Sequence, residues 1–138
     1  MEERWKAPAG DEVPGALRRW FVAHFVVDWV FALPLLVFPD AFLRALGWPV
    51  VDPMAARGVA AALVGIGTQS LLSRNAGVAV YREMLSLKIL WSATAALGFG
   101  WTALTTGPPI GWVFAVIFAL FSVLWTYWWR RLGTSGTS

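Results

Sequence analysis

His24 and Asp28 stand four residues apart in the apolar run WFVAHFVVDWVFALPLLVF, residues 20–38, so a helix puts both on one face about a turn apart. An ionised carboxylate halfway along such a run costs roughly 2.5–3.5 kcal/mol in hydrocarbon. Something must compensate for it. Pro34 leaves the carbonyl of Val30 without its usual donor, which adds a polar group nearby. Lys88 and Gln69, in later apolar runs, fall within about one turn of the depth of His24 at a rise of ~1.5 Å per residue. The expected site is a polar pocket of His24, Asp28, Gln69 and Lys88 in the half of the bundle nearer Trp20. Asp28 would bind a cation or exchange a proton, Lys88 would set its charge state, and His24 would relay a proton near neutral pH. The competing reading is structural: Asp28 in an ion pair or accepting from Gln69, Trp or Ser donors, and Lys88 snorkelling to the surface.

Other chemistry is poorly provided for. Zero cysteines exclude disulfides, thiolate metal sites and iron–sulfur ligation, and a single histidine excludes bis-histidine haem. No nucleophile–base–acid set is visible, and Gly65-Ile66-Gly67 lacks the pattern of a phosphate loop. No catalytic residue, metal site or cofactor is expected. Glu83, Arg82 and Arg74 suit contact with phospholipid headgroups better than catalysis on them. Arg57 is expected at the opposite interface, paired with Asp52 or Asp40. Most of the ten tryptophans are expected in interfacial belts and packing.

The elements that must hold these residues are read from composition. Of 138 residues 58% are apolar and 14% charged, with a mean hydropathy of +0.62, which is membrane-protein usage. At about 20 residues per crossing, this length admits at most about four or five spans. The reading is an all-α integral membrane bundle of four transmembrane helices, near residues 20–38, 54–73, 81–104 and 110–129, within a domain of residues 17–131. A polar tail, residues 1–16, precedes it; its mixed charge does not read as a signal peptide. A flexible tail, residues 132–138, follows.

Between the first two spans a short interfacial helix is expected, capped by Asp40 and stopped by Gly47 and Pro49, with Asp52-Pro53 opening the next span. Gly58, Ala62 and Gly65, continued by Gln69, share one face at three-to-four spacing, and Ser92, Ala96 and Gly100 make a second small face. Small faces let helices approach closely when lipid competes for apolar surface. Both are expected to face helices rather than lipid.

Nine of the eleven Lys and Arg residues fall on one side of four crossings and two, Arg44 and Arg57, on the other, which places both termini in the cytoplasm and the chain in the inner membrane. The polar pocket then lies in the cytoplasmic half. The net charge is only +3, with no basic stripe, so nucleic acid is not an expected partner.

The layout FPDAFLRALGWPVVDP, then AARG and the LLSRN turn, resembles small four-helix bacterial membrane proteins, broadly the DoxX-like group, over about residues 18–131. The resemblance implies four helices and no transferable activity. Small multidrug-resistance transporters also carry an acidic residue in the first of four helices, as Asp28 does here, but their remaining motif is absent. Two functions are therefore expected in competition. One is a bundle that binds or moves a small solute, ion or proton, working as an oligomer because four helices enclose little volume. The other is a non-catalytic scaffold or accessory subunit that packs against partner helices. The bilayer, a second copy or another membrane subunit are the partners in view.

Overall fold

The computed structural model describes residues 12–133. Most of the expected polar tail and the last five residues lie outside the described residues. Among the described residues five helices follow one another: α1 Gly15–Val37, α2 Pro39–Ala45, α3 Pro53–Leu72, α4 Val78–Thr105 and α5 Ile110–Gly133, with a 3₁₀ turn Ser73–Asn75 between α3 and α4. Three stretches, Gly15–Val37, Pro53–Asn75 and Ile110–Gly133, are long and apolar enough to cross a membrane. The first begins before Trp20 and the last continues through Leu132 and Gly133, so helix replaces the start of the expected C-terminal tail.

Local chemistry explains the helix ends. Pro39 occupies the first turn of α2, where its missing N–H costs nothing. Asp40 therefore sits inside that turn rather than capping it, and its carboxylate takes Arg44 Nε at 2.9 and 3.0 Å. Gly47, at φ +93°, closes α2 in the left-handed region open to glycine. Gly47 N–H donates to Arg44 O and Trp48 N–H to Leu43 O, which is the Schellman arrangement. Asp52 accepts from Met54 N and Ala55 N at 2.9 and 3.2 Å and caps α3, with Pro53 at its first position.

Two helix pairs build the bundle, α1 with α3 and α4 with α5. Within each pair the backbones approach closely. Between the pairs large rings fill the space: Phe21 stacks on Tyr81 with centroids 4.3 Å apart, Phe21 meets Trp125 edge-on at 6.2 Å, and Phe31 meets Phe114 at 6.1 Å. Small residues thus join each pair and aromatic rings join the two pairs.

The packed face of α3 is Ala56, Ala60, Leu63, Gly67 and Ser70. This corrects the expected stripe: Gly58, Gly65 and Gln69 are exposed, Ala62 is half-buried, and among the described residues no neighbouring helix comes within 4 Å of a Cβ built at Gly58 or Gly65. The two stripes have the same spacing and lie two residues apart, on opposite sides of the helix. Small residues line both, so periodicity alone did not choose between them. On α4, Ser92 is buried and Ala96 and Gly100 are half-buried, Gly100 against Ala115 of α5. The bundle's exterior is apolar, with Val30, Leu97, Trp101, Leu120 and Val123 all more than 60% exposed, as suits a lipid-facing surface.

Candidate polar centre

Two apolar clusters divide the interior. Leu17, Phe21, Tyr81, Leu85 and Trp125 belong to one, and Ala32, Leu35, Ala56, Ala60 and Leu63 to the other. Between them on α1 lie His24 and Asp28, continuing the stripe Leu17, Phe21, His24, Asp28, Ala32, Leu35 that i, i+3 and i, i+4 spacing defines. α4 contributes Lys88 and Ser92 on the same principle, and α3 contributes Gly67 and Ser70.

His24, Asp28 and Lys88 are 7%, 4% and 1% exposed. His24 Nδ1 lies 2.9 Å from Asp28 Oδ2 and 2.9 Å from Lys88 Nζ. Lys88 and Asp28 therefore communicate through one ring nitrogen. That nitrogen has either a lone pair or a hydrogen, never both. As an acceptor it takes a hydrogen bond from the Lys88 ammonium and leaves Asp28 Oδ2 buried without a donor. As a donor it serves Asp28 and has no lone pair for Lys88. With Lys88 an ammonium, no proton arrangement satisfies both contacts at once.

The surroundings are aromatic. Lys88 Nζ sits 5.1 Å from the ring centroids of both Phe21 and Trp125, where cation–π attraction helps to replace its lost hydration. The His24 ring meets Phe121 and Trp125 edge-on at 5.2 Å each. Ser92 Oγ donates to Lys88 O at 2.6 Å and Ser70 Oγ to Ile66 O at 2.7 Å, so both serine hydroxyls bond back to their own helices. Gly67 lies directly against Asp28: a Cβ there would fall 2.8 Å from Asp28 Cβ and 3.0 Å from Oδ2.

Three of the four expected pocket residues, His24, Asp28 and Lys88, converge. Gln69 does not; it is exposed and donates to Ser73 Oγ at 3.0 Å, because it belongs to the outward stripe of α3. Lys88 is too deeply buried to snorkel. Arg57 pairs with neither Asp52 nor Asp40 but donates to Leu36 O at 3.0 Å, at the end of α1 where helical donors run out. Trp29 Nε1 donates to Thr68 Oγ1 at 3.1 Å and not to Asp28. Trp125 is completely buried against the centre rather than in an interfacial belt. Of the headgroup candidates, Arg82 packs on the Trp129 ring at 4.6 Å and Arg74 belongs to the 3₁₀ turn.

Gly67, Phe21, Phe121 and Trp125 were not expected as parts of the centre. Phe21 was accessible to sequence reasoning, since it precedes His24 by three residues on the same face. Among the described residues, no group of three His, Cys, Asp or Glu side chains converges as a metal site would require. Comparison with protein-family models, curated proteins and solved structures gives no match for this chain.

Proposed function

We propose that the chain is an integral membrane protein of four crossings whose His24–Asp28–Lys88 centre binds or moves a proton, with no catalytic role. The observation that carries this is the single Nδ1 shared at 2.9 Å between an ammonium and a carboxylate. With Asp28 ionised, one proton has two homes of equal net charge. On Nζ it leaves a lysine ammonium beside a neutral imidazole that keeps its hydrogen on Nε2. Transferred to Nδ1, it leaves a neutral amine beside an imidazolium held by Asp28. A buried centre of this kind can pass a proton between Lys88 and His24 at constant total charge, and it changes charge by one when that proton arrives from or leaves to the surroundings.

α4 is the fourth crossing in this reading. Its 28 residues extend about 42 Å, and it packs along α5, itself apolar enough to span. Its charges are Arg82 and Glu83 near its start and Lys88, whose burial is compensated by the centre. That is why its hydropathy falls below that of its neighbours. Arg18, Arg19, Arg74, Arg82, Arg130 and Arg131 lie where α1 and α4 begin and α3 and α5 end, which supports placing that end, and both termini, in the cytoplasm of a cell bounded by this inner membrane. Membership in the broadly DoxX-like group is part of this proposal on layout alone.

A second reading, the scaffold or accessory subunit, rests on the open face at Gly58 and Gly65, where a partner helix or a second copy has room. Proton uptake by the purified protein after a pH jump separates the two. The proton reading requires uptake that Asp28→Asn abolishes in a folded protein; the scaffold reading requires the same uptake in both.

A further inference from the structure

A second charged site lies outside this centre, at the end of the bundle where α1 begins and α3 ends. Arg18 donates through Nη1 to Arg74 O, which also accepts from Tyr81 OH at 2.8 Å. Arg74 donates through its own Nη1 to Leu71 O at 2.8 Å. Each guanidinium carries five N–H donors and spends one on a backbone carbonyl, which anchors the side chain without neutralising it. Arg18 also lies over the Tyr81 ring, 5.8 Å from its centroid. Among the described residues no carboxylate pairs with Arg18, Arg19 or Arg74, since the ion pairs are His24–Asp28 and Arg44–Asp40.

These three arginines and Asn75 border a shallow depression of about 410 Å³ whose remaining wall is Val22 and Ala23. The apolar wall lies one helical turn further along α1 than the cations, in the direction of the bundle interior. Cationic donors at the rim and an exposed apolar floor beyond them match a molecule with an anionic head and a hydrocarbon tail.

We propose that this depression binds the phosphate of an anionic phospholipid, with Arg18, Arg19 and Arg74 holding the phosphate oxygens and an acyl chain lying along Val22 and Ala23. Guanidinium suits the task because its fork of donors matches phosphate oxygens. A zwitterionic lipid brings an ammonium or choline group, for which the rim offers no carboxylate among the described residues. A free phosphate ion makes no use of the apolar wall. The site rests on the reading that this end of the bundle lies at a membrane surface.

The test uses the full chain, stripped of lipid in detergent, with native mass spectrometry counting adducts of phosphatidylglycerol, phosphatidylcholine and inorganic phosphate. Phosphatidylglycerol is expected to bind about tenfold more tightly than phosphatidylcholine, and Arg18→Gln/Arg74→Gln to remove that preference. Among the described residues nothing bonds to the Arg19 side chain, so Arg19→Gln is expected to weaken phosphatidylglycerol binding without touching the fold. Equal binding of the two lipids, binding of inorganic phosphate as tight as that of the lipid, or an equal loss in Arg130→Gln/Arg131→Gln would each overturn the site. Alkaline carbonate extraction distinguishes the underlying reading. A chain that stays in the membrane pellet yet shows no lipid preference refutes this site alone, whereas a chain washed into the supernatant refutes both.

Discussion

Gly67 leaves room for the carboxylate of Asp28. A Cβ at position 67 would come within 2.8 Å of Asp28 Cβ and 3.0 Å of Oδ2, and Asp28 is fixed on its other side by His24 Nδ1 at 2.9 Å. Closeness of α1 and α3 at this level is therefore a condition for the polar centre as well as for packing.

Gly67→Ala must push α3 away or drive Asp28 off His24, and overpacking of this kind costs about 1–3 kcal/mol. Gly65→Ala, two residues away on the open face, should be neutral or stabilising by up to about 1 kcal/mol through helix propensity. Unfolding titrations in mixed micelles compare the two. Equal effects would mean that the two faces of α3 are packed alike.

Removing one member of the centre strands the other charge. Asp28→Asn or Lys88→Met alone should destabilise by about 3–5 kcal/mol. The double substitution should cost at least about 1 kcal/mol less than the sum, since the two act through one nitrogen. Strict additivity in the same titrations would show that Lys88 and Asp28 are independent.

Trp125 is placed to report on the centre, with the His24 ring at 5.2 Å and Lys88 Nζ at 5.1 Å. The protein's tryptophan emission should change with pH, and the change should disappear in Trp125→Phe and in His24→Gln. A pH response surviving in both variants would place its source elsewhere.

Arg57 and Arg44 provide a contrast at the other end of the bundle. Arg57 donates to Leu36 O across two helices, and Arg57→Gln should cost about 1 kcal/mol. Arg44 makes an exposed i, i+4 pair with Asp40, and Arg44→Gln should cost no more than about 0.5 kcal/mol. Thermal denaturation of the two single variants measures the difference.

How far sequence alone reached can be followed through particular residues. Asp52-Pro53 and Gly47 announced their helix ends because capping chemistry is local. His24, Asp28 and Lys88 came together because a charge in an apolar helix has few places to go. Gln69 was drawn into the centre by depth alone, and depth does not fix rotation about a helix axis. The same ambiguity exchanged the stripe of Gly58, Ala62 and Gly65 for that of Ala60 and Gly67. Trp125 stands near a helix end, where tryptophan suits an interface, whereas its rotation turns it inward against Lys88. The pairing of Arg57 with a carbonyl was equally hidden, since a backbone acceptor has no sequence signature.

The chain contains one histidine, which makes ¹⁵N resonance of its imidazole ring a single-site measurement on the native protein. Over a pH titration of the folded protein, Nδ1 should pass between acceptor and protonated states. Asp28→Asn should shift that balance toward the acceptor state by removing the carboxylate that holds the imidazolium. A ring whose Nδ1 resonance stays fixed over the whole range, and is the same in Asp28→Asn, would contradict the proton centre and leave His24 as a packing residue.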